Sequence, residues 1–363
     1  MVRVFLTPPF DAPEVLVALC GACGATPATL EGFAAGIGGW GLPWLVPDPA
    51  GQAAGHIVEA DQEALMRLTH VTQVLGVPWR RADQQDGPVT LFADDVAGTQ
   101  ATRPVADLAA MIAAAAPEIL GYRGRLSMPD IAQRRQMILS RAWAQAIARA
   151  PAATELRSAR GRDTVSVSAC DTSHEGYFLT RTYHLRHPVL DGGMSALVAR
   201  EVFVATDAAL VLPYDPAADR VLLVEQVRMG PFGRGDPAPW VLEPVAGRVD
   251  PGETPQECAR RECLEEAHLA LDQLEHMSSH YCSPGCSTEF FHCFLGVCDL
   301  SGRDEAAPPG RGGLASEHED IATHVIGFDR AQALMQSGEI NIGPLFLMLL
   351  WLERERPRLR ATA

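Results

Sequence analysis

Lysine is absent from the chain: all 30 basic residues are arginines, against 45 acidic residues, and the net charge is −15. We attribute the missing lysine to a coding bias and give arginine counts no separate weight. Phosphates would be repelled over most of such a surface, which argues against nucleic acids and anionic membranes as partners. A small phosphate ligand stays compatible with this charge if metal ions mask the repulsion.

Long hydrophobic runs are also missing. The longest apolar stretch is the eleven residues from Ile342 to Leu352, which include Pro344. A membrane-spanning helix needs about 20 residues, so we expect a buried C-terminal helix here and no membrane segment. Residues 1–10 have no apolar run behind a basic start, and no signal peptide is expected.

The nine cysteines are odd in number and scattered, which is not the pattern of a secreted disulfide framework. We therefore expect a reducing, cytoplasmic location. The length of 363 residues suits two domains, and a hydrophobic content of 47% is sufficient for a sizeable core.

Composition divides the chain into three parts. Residues 1–100 mix short strands and helices, residues 101–155 are helical and Ala-rich, and residues 156–363 begin with a series of strands. We predict a first domain, a helical linker region and a second domain with these boundaries. The overall expectation is an α+β protein.

Several local elements can be predicted within these parts. We expect a strand at His56–Glu59, preceded by a Gly-rich loop, and one continuous helix from the N-cap Ser127 to about Ala150. Residues 301–316 are rich in Gly and Pro and are expected to form a loop.

The most informative segment is residues 247–269. Thr254 and Glu257 form a capping-box pattern with proline at the first helical position, which predicts a helix starting at Thr254. This helix would present Glu262, Glu265 and Glu266 on one face. One interpretation is a solvated acidic face, and the other is a binding site for divalent cations, which prefer carboxylate and phosphate oxygens.

The surrounding spacing favours the second interpretation. It reads Gly, five residues, Glu, seven residues and then Arg-Glu-x-x-Glu-Glu, and it resembles the signature of the Nudix hydrolases. The six matching positions are Gly247, Glu253, Arg261, Glu262, Glu265 and Glu266. Two positions depart from the family pattern: Cys263 replaces a larger aliphatic residue, and His268 replaces a glycine.

Further segments are similar to the ADP-ribose pyrophosphatase branch of this family, and within it to the tellurite-resistance-associated type. They are Val221–Arg228, Trp240–Gly247, Ser283–Gly285 and Gly313–Ile321. The resemblance covers roughly residues 160–355. It implies a Nudix α/β/α sandwich with a mixed sheet, a homodimer, and hydrolysis of the diphosphate of ADP-ribose to AMP and ribose 5-phosphate.

The resemblance also implies roles for individual residues. Glu262, Glu265 and Glu266 would bind Mg²⁺ or Mn²⁺, with the Ala246 carbonyl and Glu319 as further ligands. Glu262 and Glu266 would share the catalytic role with Glu317, the implied general base, while Glu253 and Arg261 would form a bracing salt bridge. The implied substrate contacts are Tyr177, on the adenine, and Arg200, Arg228, Gly285 and Glu289, on the diphosphate and ribose.

The N-terminal part resembles the gamma-glutamylcyclotransferase (AIG2-like) family through Leu30–Phe33, Gly41–Pro47 and Ala54–Glu59. The resemblance implies a small α+β barrel. The family's substrate-binding turn and its catalytic Glu are replaced, by Thr7–Phe10 and by Thr72 respectively. We therefore expect a domain without catalysis.

Alternatives remain at this point. The substrate could be another nucleoside diphosphate sugar or a dinucleotide, or the protein could sense a nucleotide without hydrolysing it. Cys282 and Cys286 could also bind zinc together with His280 and His292, although the similarity of their loop to a substrate loop makes this the less favoured reading.

Overall fold

The computed structural model describes residues 1–21, 24–37, 42–84, 87–94, 104–148, 155–158, 160–303, 310–314 and 319–361. The chain divides into two compact units. The first comprises residues 1–159 with 250–252, and the second comprises residues 160–249 with 253–363. No helix in the described part of the chain is both long enough and apolar enough to cross a membrane.

The first unit contains a five-stranded mixed sheet and five helices. Its elements are β1 (Val2–Leu6), α1 (Pro13–Cys20), β2 (Ala25–Ile37), β3 (Pro43–Ala60), α2 (Gln62–Leu75), β4 (Trp79–Gln84), β5 (Gly87–Phe92), α3 (Val105–Gly121), α4 (Met128–Gln133) and α5 (Arg135–Ile147). The strand order is β2-β3-β1-β5-β4, with β1 parallel to β5. Phe5, Leu30, Leu45 and Leu91 are buried together as part of its core.

The strand expected at His56–Glu59 is confirmed as the end of the much longer β3. The Gly-rich stretch expected to form a loop begins within β2, which pairs with β3 from Ala25–Val58 to Ile37–Pro43. Residues 38–41 of that stretch lie outside the described residues. Cross-strand pairing here outweighs the weak strand propensity of Gly and Pro. The helix expected from Ser127 to Ala150 is interrupted at Arg134, which separates α4 from α5 and places its guanidinium over the Tyr122 ring. Ala150 itself lies outside the described residues.

The second unit begins with a three-stranded antiparallel sheet and continues with an eight-stranded mixed sheet. Its elements are β6 (Ser166–Glu175), β7 (Leu179–Arg186), β8 (Val198–Val204), β9 (Asp207–Asp215), β10 (Arg220–Val227), α6 (Met229–Arg234), β11 (Trp240–Glu243), β12 (Val245–Arg248), α7 (Pro255–Ala267), β13 (Gln273–Tyr281), β14 (Phe290–Val297), β15 (Gly310–Gly312), β16 (Ile321–Gly327), α8 (Phe328–Ser337) and α9 (Gly343–Ala361). The large sheet runs β13-β14-β9-β10-β16-β15, with β11 on β10 and β12 on β9. Strand β14 is parallel to β9.

Helices α8 and α9 cover one face of the large sheet. Leu212 and Tyr214 of β9 are fully buried in the same cluster as Met348 and Leu352 of α9. Helix α7 packs against β9 and β12. The mixed α+β class is thus confirmed. The expected C-terminal helix is present, but only one face of it is buried, and Phe346, Leu347 and Leu350 are exposed. The cyclotransferase-like barrel of the first unit stays a prediction.

The expected loop at 301–316 contains a strand. Gly310 and Gly312 of β15 pair with Thr323 and Ile321 of β16. A Cβ atom at Gly310 would lie 2.3 Å from Thr323 Oγ1, and one at Gly312 would lie 1.5 Å from the Glu266 carbonyl oxygen. These glycines therefore allow the backbone to pack closely against its neighbours. From the composition alone, they had been interpreted as residues of a loop.

Candidate active site

Helix α7 begins at the predicted capping box. Thr254 Oγ1 accepts a hydrogen bond from the Glu257 backbone N–H at 3.2 Å, and Glu257 Oε2 accepts one from the Thr254 N–H at 2.8 Å. His268 ends the helix in the left-handed region, with φ of 49°. The two caps fix which residues of α7 face the sheet and the strand β12.

The three glutamates of α7 differ in their environments. Glu266 is 2% exposed and its Oε2 accepts a hydrogen bond from the Ala246 N–H at 3.1 Å. The side chains of Glu262 and Glu265 are 13% and 29% exposed. Burial raises the pKa of Glu262 to about 7 and that of Glu266 to about 8. These carboxylates are costly to ionise without a cation nearby.

Glu262 lies directly against the backbone of Gly247 in β12. A Cβ atom at position 247 would be 1.8 Å from Glu262 Oε1. No residue other than glycine leaves this carboxylate in place, which gives the signature glycine a steric explanation.

Arg261 connects the acidic residues on this side of the helix. Its Nε and Nη2 donate to the two carboxylate oxygens of Glu253, both at 2.9 Å. Its Nη1 donates to Glu262 at 2.6 Å and to Glu265 at 3.0 Å, and Nη2 also donates to the Arg248 carbonyl at 3.1 Å. A bidentate arrangement of this kind fixes the guanidinium plane and hence the carboxylates bound to it.

Glu319 reaches the same cluster from the segment after β15. Its Oε2 accepts a hydrogen bond from the Leu314 N–H at 3.1 Å, and its charge contributes to the raised pKa values of Glu262 and Glu266. The Gly313 N–H donates to the Glu265 carbonyl at 3.1 Å, which joins this segment to the C-terminal end of α7. Glu317 lies outside the described residues.

Arg228 places a positive charge within electrostatic range of Glu266. Its Nε donates to Glu243 Oε2 at 2.6 Å. Burial raises the pKa of Glu243, and Arg228 opposes that effect. Glu243 was not predicted to have a role, although a carboxylate in an otherwise apolar strand ahead of Pro244 was a usable signal for a buried ion pair.

The remaining predicted substrate contacts lie on other elements. Tyr177, at the β6–β7 turn, is 63% exposed, accepts a hydrogen bond from Arg248 and has the Arg248 guanidinium 5.6 Å from its ring centroid. Arg200 is exposed on β8, and Gly285 and Glu289 lie in the β13–β14 loop. Within the described ranges, no hydrogen bond or ion pair joins Arg200 or Glu289 to the α7 glutamates. Arg248 was missed because its contact with Tyr177 joins residues that are 71 positions apart in the sequence.

The donor set fits a hard divalent cation. Carboxylates are the preferred ligands of Mg²⁺. The charges of Glu265 and Glu319 contribute to the raised pKa of Glu262, and those of Glu262 and Glu319 contribute to the raised pKa of Glu266. In the structure, these carboxylate oxygens accept hydrogen bonds from Arg261 and from backbone N–H groups. Accordingly, no group of three or more His, Cys, Asp or Glu side chains among the described residues is arranged around a common point. The zinc alternative at Cys282 and Cys286 stays a prediction.

A helix carrying clustered glutamates over a mixed sheet, braced by a bidentate arginine, defines a candidate site for metal-assisted hydrolysis. Comparison with known proteins gives the family: the NUDIX domain matches residues 204–338. An ADP-ribose pyrophosphatase of Escherichia coli (strain K12) is 34% identical over 200 residues, covering 55% of this chain and 93% of the relative. The chain therefore belongs to the Nudix family.

Two further relatives are named as pyrophosphatases of different nucleoside diphosphate sugars. An ADP-ribose pyrophosphatase of Haemophilus influenzae is 39% identical over 184 residues, covering 50% of this chain and 82% of the relative. A GDP-mannose pyrophosphatase of Pectobacterium atrosepticum is 33% identical over 173 residues, covering 48% of this chain and 86% of the relative.

Proposed function

We propose that the protein hydrolyses the diphosphate bond of ADP-ribose and releases AMP and ribose 5-phosphate. The observation that carries the proposal is the clustering of Glu262, Glu265, Glu266 and Glu319 around α7. The chain has this cluster while being 34–39% identical to ADP-ribose pyrophosphatases.

Glu262, Glu265, Glu266, Glu319 and the Ala246 carbonyl would hold Mg²⁺, or Mn²⁺ in its place. Bound cations of this kind neutralise the diphosphate charge and lower the pKa of a water molecule at the site. Arg261, locked on Glu253, keeps Glu262 and Glu265 in position. When they bind a cation, these carboxylates would give up their hydrogen bonds from Arg261 or from backbone N–H groups. The bidentate bond between Arg261 and Glu253 would then keep the Arg261 guanidinium in place.

Arg228 supplies a fixed positive charge for a diphosphate oxygen, because its ion pair with Glu243 orients the guanidinium. Glu317 would remove the proton from the attacking water as general base. Tyr177 would stack on the adenine, while Arg200, Gly285 and Glu289 would contact the diphosphate and the ribose. Attack of water on phosphorus breaks one phosphoanhydride bond, and the leaving phosphate carries away the other half of the substrate.

The proposal is tested by product analysis on ADP-ribose with Mg²⁺ for the wild type and Glu266→Gln. We expect the substitution to reduce kcat by about a hundredfold or more while the fold is retained. Glu353→Gln, an exposed carboxylate on α9, is the control with the same change of charge and should behave as wild type. Equal turnover in Glu266→Gln and wild type would contradict the assignment.

Two alternatives are separated by the same assay. The GDP-mannose pyrophosphatase relative supports a second candidate substrate class, other nucleoside diphosphate sugars. A panel of such compounds would identify it if ADP-ribose ranks well below another member. Saturable binding of ADP-ribose without Mg²⁺-dependent turnover would instead support the nucleotide-sensing protein.

We also infer a homodimer in which the sheet of β6, β7 and β8 contacts a second copy. Nine of the ten residues of β6 are exposed, and Phe178 and Leu197 nearby are 50% and 51% exposed. A strand that buries so little, with exposed apolar residues beside it, is a suitable surface for association. Light scattering coupled to size exclusion would give twice the chain mass.

The free thiols of the described cysteines support the expected reducing, cytoplasmic location.

For the N-terminal part we propose a non-catalytic cyclotransferase-like domain, with residues 101–155 as a helical linker before the Nudix domain at 156–363. Thr72, at the position of the family's catalytic Glu, is fully buried. Its hydroxyl accepts from Trp79 Nε1 at 2.8 Å and donates to the Leu68 carbonyl at 2.7 Å. Formation of 5-oxoproline from gamma-glutamyl amino acids by the full chain would contradict a non-catalytic role of this domain.

Membership of the tellurite-resistance-associated type stays a prediction.

A further inference from the structure

The loop between β13 and β14 carries two exposed, free cysteines, Cys282 and Cys286. They enclose the Ser283–Gly285 segment, and Glu289 follows in the same loop. Among the described cysteines, Cys170 on β6 is the one other exposed thiol. Two accessible thiols separated by three residues, beside proposed ribose contacts, form a surface that oxidants can reach.

The loop makes a tight turn between the two cysteines. The Cys286 N–H and the Ser287 N–H both donate to the Ser283 carbonyl, at 3.1 and 2.9 Å. The chain therefore reverses direction over residues 284 and 285. Ser283 Oγ lies 3.2 Å from Cys286 Sγ. Because Ser283 directly follows Cys282, the second thiol contacts the residue adjacent to the first.

The two thiols are held differently. The backbone at Cys286 is fixed to β8, since its carbonyl accepts from the Phe203 N–H at 2.8 Å and the Thr288 N–H donates to the Phe203 carbonyl at 3.0 Å. Cys282 Sγ instead donates to Glu289 Oε2 at 2.9 Å. A movement that joins the thiols must therefore draw Cys282 away from Glu289.

We propose that Cys282 and Cys286 are a site of reversible oxidation to an intramolecular disulfide, and that this bond weakens substrate binding by the loop. The effect on binding rests on the proposed function. With a peroxide as oxidant, the Cys286 sulfur attacks the O–O bond and forms a sulfenic acid and water. The Cys282 sulfur then displaces the hydroxyl group, forming the S–S bond and a second water molecule. Two thiols lose two hydrogen atoms, and the peroxide is reduced.

The local electrostatics assign the order of these steps. Burial and the hydrogen bond to Glu289 raise the pKa of Cys282 to about 12, so that this thiol stays protonated while Glu289 holds it. Cys286, whose sulfur lies against the Ser283 hydroxyl and not against a carboxylate, therefore attacks the oxidant first, and Cys282 follows once it leaves Glu289. Removing the Glu289 charge should speed disulfide closure.

The modification itself is tested by intact-mass spectrometry of the full chain after treatment with hydrogen peroxide or oxidised glutathione. We expect a loss of two hydrogen atoms that dithiothreitol reverses. Cys282→Ser and Cys286→Ser should each abolish this loss, and Cys170→Ser should keep it. The same loss in either loop variant, or only over-oxidised and mixed-disulfide products in the wild type, would overturn the proposal.

The consequence for binding is tested by comparing KM for ADP-ribose in oxidised and reduced protein. We expect oxidation to raise KM roughly tenfold, as for loss of a hydrogen bond to a charged group, and to leave KM of Cys286→Ser unchanged relative to its own reduced form. An unchanged KM in fully oxidised wild type would overturn the effect on binding. Failure of the reduced enzyme to hydrolyse ADP-ribose would overturn the proposed function, and the mass measurement would remain valid.

Discussion

Gly247 and Glu262 are in direct contact: a methyl group on the glycine would lie 1.8 Å from the carboxylate oxygen Oε1. The β12 strand and the α7 helix therefore approach each other at the point where the first glutamate of the cluster is held. This contact makes the position of a proposed metal ligand depend on the absence of one carbon atom.

We predict that Gly247→Ala displaces Glu262 and lowers kcat/KM by about a hundredfold, since displacements of about 1 Å in an active site can have effects of this size. The measurement is steady-state hydrolysis of ADP-ribose at saturating Mg²⁺. Gly302→Ala is the matched control, because nothing lies within 4 Å of a Cβ atom at that position. Wild-type kinetics in Gly247→Ala would show that hydrolysis does not require Glu262 in this position.

Arg261→Lys is expected to lower kcat by roughly ten- to a hundredfold. Lysine keeps the charge but cannot donate to both Glu253 oxygens and to Glu262 and Glu265 at once. A double-mutant cycle with Glu253→Gln measures the coupling, and the second substitution should add little once the first is present. Additive losses would mean that Arg261 and Glu253 act independently.

The stability of the metal-free protein should fall as the pH rises from about 5 to about 9. Glu262 and Glu266 have pKa values of about 7 and about 8 in the folded protein, against 4.5 ordinarily, so the folded state holds their protons more tightly than the unfolded state does. Ionisation of these two carboxyl groups begins to destabilise the folded protein when the pH rises above their pKa in the unfolded chain. The effect is complete once the pH exceeds their pKa values in the folded protein. One pKa unit corresponds to about 1.4 kcal/mol, so we expect a loss on the order of a few kcal/mol.

Urea unfolding in EDTA across this pH range measures the effect, with Mg²⁺ added in a parallel series. Mg²⁺ should raise the unfolding midpoint more at pH 9 than at pH 6, because the ionised carboxylates bind it. Glu262→Gln/Glu266→Gln should flatten both dependences. If the free energy of unfolding of the metal-free protein rises with pH, Glu262 and Glu266 are not buried in their protonated form.

A fourth prediction concerns Asp219, in the β9–β10 turn. It has φ of 58° and accepts hydrogen bonds from Tyr214 and Arg356, while Arg360 donates at 2.9 Å. Burial opposes its ionisation, but the bonds from Arg356 and Tyr214 outweigh it and lower the pKa of Asp219. Its contribution to stability is present above its unfolded pKa near 3.8 and is lost as the pH falls through the lower folded value.

Asp219→Asn should cost about 1–3 kcal/mol at neutral pH, and Asp219→Ala should cost more, because alanine also tolerates the left-handed backbone less well than asparagine does. Denaturant unfolding at pH 7 and at pH 3 measures both. The difference between wild type and Asp219→Asn should shrink at the lower pH. An equal difference at both values would exclude the ion pairs as its cause.

The sequence predicted the α7 site better than the surroundings of that site. The capping box at Thr254 and the shared face of Glu262, Glu265 and Glu266 follow from helical periodicity, which is a local property. The pairing of Arg228 with Glu243 depends on the register of β10 and β11 and the start of α6, and the stacking of Arg248 on Tyr177 depends on tertiary structure. The β15 strand was missed because glycines that allow close packing have the same composition as a loop.

The bond from the Gly313 N–H to the Glu265 carbonyl ties the entrance of the acidic loop to the helix beneath it. The place of Glu319 in the cluster is therefore set by the number of residues between Gly313 and Glu319. The length of this segment, and not only its acidic composition, should decide whether Glu319 lies beside the glutamates of α7.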